Sequence, residues 1–173
     1  VRMGAEIESY LKGYDDPRIA SYFVKSKNNG IEGYYGVRSS IPNTTDYLDK
    51  TKSSSLNVQD ATPIYIMKAS EVYFLRAEGA LRGWNMGGTA QHFYEEGILH
   101  GNCEDPEMKS MDGEGPNGQG NVNWYDAWIH QYMEQENPVA YVYKDPTGDT
   151  PDAASPIHVG VKWNDGDSQE TKL

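Results

Sequence analysis

The pattern that most constrains the fold runs from Ile66 to Leu99: IMKASEVYFLRAEGALRGWNMGGTAQHFYEEGIL. Its first half places Ile66, Ala69, Tyr73, Ala77 and Ala80 three or four residues apart, the repeat of a single helix face. Most of these are alanines, and short side chains let a second helix approach closely. The second half carries Ala90, Phe93, Tyr94, Gly97 and Ile98, spaced i, i+3, i+4, i+7, i+8 as in a buried stripe. Thr89 stands where a cap accepts from the first free amides, and Gly101 is expected just past the last turn. Between them, Gly83-Trp84-Asn85-Met86-Gly87-Gly88 is short enough to force the helices antiparallel, with Trp84 assigned to packing between them.

A helical hairpin of this length, with Ala-x3-Tyr in its second helix, matches one tetratricopeptide-type unit. Such units bury their faces by stacking, and roughly three or more are needed for a stable array. No second clear copy stands in the 173 residues. Either the other helices are diverged versions of the unit, or its neighbours lie outside this chain. The fold class expected is mainly α: tetratricopeptide-like helix pairs with long irregular loops and a few short strands. The hairpin, residues 63–101, sits within one domain spanning 1–173.

On the N-terminal side, residues 1–24 read as two short helices. Ile7, Tyr10, Leu11 and Tyr14 give the first an apolar stripe. Asp16 then caps the second, with Pro17 at its first position and Ile19, Tyr22 and Phe23 facing inward. From Lys25 to Thr62 the periodicity is lost. Asn28-Asn29-Gly30 marks a turn, Gly33-Tyr34-Tyr35-Gly36-Val37 predicts a short strand, and Thr51 to Ser55 is polar loop. On the C-terminal side, residues 101–122 form another loop. Asn123 caps a third clear helix, with Asp126 at its N3 position, a stripe of Tyr125, Ile129, Tyr132 and Met133, and Trp124 and Trp128 flanking it. Pro138 closes that helix region. Tyr141 to Tyr143 and His158 to Trp163 alternate like short strands, with turns at Asp145-Pro146 and Pro151-Asp152. Asp165 to Leu173 has the character of a helix start.

Charge and cysteine count narrow the function. The net charge is −11, so phosphate backbones are repelled and nucleic acid is excluded as a partner; anionic lipid is disfavoured for the same reason. The lone Cys103 supports neither an internal disulfide framework nor a multi-cysteine metal site. No run of about 18 apolar residues is present, so nothing spans a membrane as a helix. The first residue is Val1, not methionine, and the reading is of a cut through a longer chain.

Four stretches, in order, carry a resemblance to the C-terminal part of the SusD/RagB family. Tyr14-Asp15-Asp16-Pro17-Arg18 with Tyr22-Phe23 is similar to that family's Asp-Pro-Arg segment followed by Tyr-Phe. Tyr35-Gly36-Val37-Arg38 resembles its Tyr-x-Gly-x-Arg segment. Pro63 to Ile98, centred on Ala69-Ser70-Glu71-Val72-Tyr73-Phe74-Leu75-Arg76-Ala77-Glu78, resembles its most distinctive signature. Val161-Lys162-Trp163 with Glu170-Thr171-Lys172-Leu173 resembles the lead into its last helices. The resemblance implies a surface glycan-binding outer-membrane lipoprotein of Bacteroidetes that works beside a TonB-dependent, SusC-like transporter in polysaccharide utilisation and nutrient uptake. Its partners would be an oligosaccharide or polysaccharide and that transporter. Its place would be the cell outer membrane, surface-exposed, with a lipid anchor that this chain lacks. Cys103 has the wrong context for acylation. The family's glycan contacts lie in variable loops, so no binding residue is carried over from the signature.

The residues themselves favour binding over chemistry. A glycosidase needs two carboxyls roughly 5–10 Å apart across a cleft, whereas Glu71 and Glu78 share one side of one helix and suit the solvated face beside Arg76. His92, His100, His130 and His158 are scattered. His92 and His100 are eight residues apart, too far along a helix for one metal ion at ~1.5 Å per residue. Asp112-Gly113-Glu114-Gly115 and Asn164-Asp165-Gly166-Asp167 lack the spacing of a calcium loop. Gly87-Gly88-Thr89 lacks the lysine and βαβ frame of a phosphate site. No enzyme activity, cofactor or metal is expected. Aromatic rings are the better lead, because sugar rings present flat C–H faces to Trp and Tyr. Tyr34 and Tyr35, between glycines, and Trp124 and Tyr125, at a helix start, are the candidate glycan contacts. The alternative reading is a tetratricopeptide-like protein–protein interaction module, with a glycoside hydrolase third.

Overall fold

In the computed structural model, residues 2–39, 52–58, 66–103, 124–148 and 150–172 are described, with backbone alone at 102–103, 124–127 and 170. They form two units. One comprises Val1–Thr62 with Asn137–His158, the other Pro63–Glu136 with Val159–Leu173.

The second unit is built on the helix pair. Helix α3 (Ala69–Leu81) and helix α4 (Ala90–Cys103) pack antiparallel. The tightest approach is at Gly97 of α4 and not at an alanine of α3. A Cβ on Gly97 would lie 2.7 Å from the Phe74 ring, and one on Gly101 would lie 3.5 Å from Ser70 Cβ. The buried positions of α3 are Ser70, Ala77 and Gly79, so the expected stripe is out of phase at its start. Ile66 precedes the helix and is 99% exposed, and Ala69 is exposed too. Tyr73 and Phe74 instead face α4, Tyr73 stacked on His100 at 4.6 Å and Phe74 edge-on to Tyr94 at 6.2 Å. The stripe of α4 is as read, with Phe93, Gly97 and Ile98 buried. The His92 amide donates to Thr89 Oγ1 at 3.2 Å, the expected cap. Helix α4 runs on through Gly101 to Cys103, so Gly101 lies within the helix facing Ser70 and is not a stop.

The turn between the helices places Gly83 and Gly87 at positive φ, 79° and 78°. Arg76 spans it, donating to the Met86 carbonyl at 2.9 Å with its guanidinium 3.9 Å from the Phe93 ring centroid. Trp84 is not packed between the helices: it is 65% exposed. The Arg76–Phe93 contact closes the turn without it.

Helix α5 (Trp124–Met133) lies against α4 and buries Ile129; the expected cap at Asn123 falls outside the described residues. Beyond its end, the Gln135 carbonyl accepts from the amides of Val161 (2.8 Å) and Lys162 (3.0 Å). That is why residues 158–163 form no strand, since two of their amides converge on one oxygen instead of laddering. Gly160 sits so close that a Cβ would fall 2.2 Å from the Glu136 carbonyl oxygen. A last short helix, α6 (Gln169–Lys172), is capped by Ser168, whose Oγ accepts from the Thr171 amide at 3.2 Å.

The first unit opens with α1 (Ala5–Gly13) and α2 (Ile19–Tyr22), then β1 (Phe23–Val24), β2 (Ser26–Asn28), β3 (Ile31–Gly33) and β4 (Ser55–Leu56); β5 (Val142–Tyr143) and β6 (Ala153–Ala154) complete it. Strands β1–β4, β2–β3 and β5–β6 form three antiparallel pairs. Asn29 and Gly30, at φ 49° and 79°, make the two-residue turn of the β2–β3 hairpin, with Asn28 opposite Ile31. The predicted strand at 33–37 therefore sits earlier, at Ile31–Gly33. Met3, Leu11 and Phe23 form the core, with Ile19, Tyr22 and Tyr34 packed on it.

Helix α1 departs most from its predicted stripe. Ile7 and Tyr10 are exposed, while Ala5, Glu8, Ser9, Leu11 and Gly13 are buried. Asp16 does not cap α2 directly. Its carboxylate takes both the amide and the guanidinium of Arg18, and the helix begins two residues after Pro17. The turn at Asp145 is as read: its carboxylate gathers the amides and hydroxyls of Thr147 and Thr150.

Candidate functional site

The arrangement around Tyr34 and Tyr35 starts from a carboxylate. Glu8 lies on the inner face of α1 and is 1% exposed. Its oxygens accept from Lys12 Nζ at 2.6 Å, from the Gly36 amide and from the Tyr141 hydroxyl. Lys12 is four residues along the same helix, so the pair is local; Gly36 and Tyr141 are brought in by the fold. Lys12 Nζ also donates to the Tyr34 carbonyl at 2.7 Å, and lies 5.5 Å and 5.2 Å from the ring centroids of Tyr35 and Tyr141. Every charge in this buried group has its counter-charge and hydrogen bonds, the condition for keeping charges out of water. Burial, and then the bond to Glu8, push the Tyr141 phenol well up from its ordinary value.

These bonds hold the 34–36 segment along its length. The Tyr35 amide donates to Ser54 Oγ at 3.1 Å, and the Ser54 amide donates back to the Tyr35 carbonyl at 2.8 Å. The Tyr35 hydroxyl donates to the Ile31 carbonyl at 3.2 Å, and the Tyr143 hydroxyl to the Gly36 carbonyl at 3.0 Å. A Cβ on Gly36 would fall 2.5 Å from the Gly4 carbonyl oxygen, so only glycine allows this crossing. Both Tyr34 and Tyr35 are half-buried. Tyr34 has Lys25 Nζ 5.9 Å from its ring centroid, and burial followed by the charge of Glu32 raises its phenol. The candidate pair is thus two partly open rings on an anchored backbone. Trp124 and Tyr125 open helix α5, in the other unit; their side chains lie outside what is described. The Glu8–Lys12 pair was visible in the sequence as an i, i+4 spacing, whereas Tyr141, more than a hundred residues away, carried no signal.

Among the described residues, each unit also holds a cavity. In the first, about 600 Å³ opens between the start of α1 and the strand pairs β1–β4 and β5–β6, with Arg2 and Arg38 on its wall. In the second, about 480 Å³ lies beside α3, where Phe74, Tyr94 and Trp163 meet Glu71 and Glu78. Glu78 is paired there with Arg82 at 2.7 Å and not with Arg76. The Asn164–Asp167 loop is an ordinary turn: Asn164 Oδ1 takes the Gly166 amide, and Asp165 Oδ1 takes the Trp163 indole N–H at 2.8 Å. Among the described residues, no three His, Cys, Asp or Glu side chains gather into a metal site, and no helix is long and apolar enough to cross a membrane.

The SusD-like family, described as SusD and RagB outer membrane lipoprotein, matches residues 1–173. A SusD homologue from Bacteroides thetaiotaomicron is 40% identical, with a TM-score of 0.72 over 94% of this chain and 30% of its own. A chitin-binding SusD homologue from Flavobacterium johnsoniae is 37% identical, with a TM-score of 0.75 over 99% of this chain and 32% of its own. A SusD homologue from Bacteroides uniformis is 35% identical, with a TM-score of 0.76 over 98% of this chain and 31% of its own. The chain therefore spans about a third of the length of these solved relatives. No curated protein matches it.

Proposed function

The chain belongs to the SusD/RagB family, and from that premise we propose that it binds oligosaccharides at the bacterial cell surface, without chemistry, for delivery to a TonB-dependent outer-membrane transporter. The observation that carries this reading is the 37% identity, over 99% of the chain, to a relative that binds chitin. The geometry around Tyr35 supports it. A ring whose backbone is held by Ser54, and whose neighbours are held by the Glu8–Lys12 pair, loses little freedom when a sugar stacks on it. Within this reading the protein is held at the outer face of the outer membrane by a lipid anchor, and Tyr34, Tyr35, Trp124 and Tyr125 are the glycan contacts.

The test is affinity electrophoresis through gels containing chitin oligosaccharides and other glycans, with a reducing-end assay run alongside. Retention without sugar release is expected, and Tyr35→Ala weakens it about fivefold, the loss of one stacking contact of order 1 kcal/mol. Release of reducing ends would replace this reading with a hydrolase. The second reading, a peptide-binding module, draws on the exposure of Leu75 and Trp84 on and beside α3. Peptide capture by the hairpin, with no retention by any glycan, would put it first.

A further inference from the structure

The cavity of the first unit has a lining that the proposed role does not use. Its walls are largely apolar, from Ile7, Phe23, Leu56 and Ala154, but two arginines line it as well, Arg2 and Arg38. The fold brings these together from distant positions. Arg2 bridges Ser55, the first residue of β4, and Gly4 bridges Val37, so the chain before α1 runs against the segment that leads into Arg38.

Each guanidinium is steadied by one neutral acceptor. Arg2 donates to the Ser53 carbonyl at 3.3 Å; Arg38 donates to the Pro151 carbonyl at 3.0 Å and lies 5.1 Å from the Tyr143 ring centroid. Among the described residues, neither makes an ion pair, although Glu6 lines the same cavity. Elsewhere in this chain of net charge −11, cations such as Lys12, Arg18, Arg82 and Lys162 do meet carboxylates. A guanidinium carries five N–H donors in a planar fork suited to a carboxylate or sulfate. Two such forks, each held on a carbonyl beside an apolar cavity of about 600 Å³, keep N–H donors that those carbonyls do not use.

We propose that this cavity is a saccharide subsite selective for an acidic sugar, with the ring against the apolar wall and a carboxylate or sulfate substituent on Arg2 and Arg38. This rests on the glycan-binding reading above and narrows it to a ligand class. The acidic surface does not forbid it. Exposed charges are screened beyond roughly 8 Å at physiological salt, whereas a substituent in the cavity meets the guanidiniums directly.

The test is calorimetric titration of the 173-residue chain with short uronate oligosaccharides, with the same oligosaccharides after carboxyl reduction, with sulfated oligosaccharides of similar length, with neutral chitin oligosaccharides, and with inorganic sulfate. One acidic series is expected to bind at least about tenfold tighter than its neutral counterpart, the yield of one good charge-assisted contact. Whether the uronate or the sulfated series does so identifies the anion. Arg2→Gln and Arg38→Gln each abolish the preference while leaving the melting temperature within a few degrees; Arg38→Lys restores part of it. Equal affinity for acidic and neutral forms overturns the proposal, as does a preference untouched by either substitution. Inorganic sulfate binding as tightly as a sulfated sugar overturns its saccharide part. Neutral glycans bound through Tyr35 with no acidic preference would sink this inference and leave the broader role standing. Absence of binding by every sugar would sink both.

Discussion

Glu8 is the residue on which the first unit turns. Replacing it with alanine strands the Lys12 ammonium, the Gly36 amide and the Tyr141 hydroxyl at once. The expected cost is about 3 kcal/mol, measured by urea unfolding, and Glu8→Gln costs less because an acceptor remains. Tyr141 makes a second prediction. Burial and the bond to Glu8 raise its phenol in the folded chain. The unfolded chain gives up that proton near the ordinary value of 10.0 while the folded chain still holds it. Stability from this group is therefore complete below that pH and falls as pH rises through it. Tyr141→Phe removes that share of the alkaline loss, seen by comparing urea midpoints at pH about 8 and about 11. The reading of α1 by hydrophobicity alone pointed at Ile7 and Tyr10, which are exposed. A charged side chain goes inside only when distant partners are waiting for it, and those are invisible along one helix.

At the scale of elements, glycines decide how closely segments pass. Gly36 crosses the start of α1 with backbone in the way: a Cβ would lie 2.5 Å from the Gly4 carbonyl oxygen and cannot be relieved by a rotamer. Gly36→Ala is expected to lose about 2–3 kcal/mol and, by shifting the 34–36 segment, to weaken glycan retention as well. Gly97→Ala meets the Phe74 ring first, which is a side chain 40% exposed and can swing outward. Its cost is nearer 1 kcal/mol, seen in the same unfolding experiment. The helix pair itself was legible because α4 keeps a full 3.6-residue period and a capping threonine. The start of α3 departs from the expected stripe because Ile66 has the right character but precedes the first helical turn. Trp84 lies outside the helix pair for a different reason. Arg76, reaching the Met86 carbonyl and the Phe93 ring, fills the role that a large aromatic would otherwise take.

For the molecule as a whole, the charge balance predicts its exclusions. With 26 acidic against 15 basic side chains, the mobility of duplex DNA should be unchanged by added protein at physiological salt, checked by gel shift. By itself the sequence determined the helical class, the antiparallel hairpin, the turn at Asn29-Gly30 and the family, since all of these depend on residues close together along the chain. Only the tertiary structure decided that Glu8 is buried, that Tyr35 stands on an anchored segment, and that Arg2 and Arg38 share a cavity. Each of those depends on groups far apart in sequence, and side-chain periodicity reports which face of an element is apolar without reporting what will meet it.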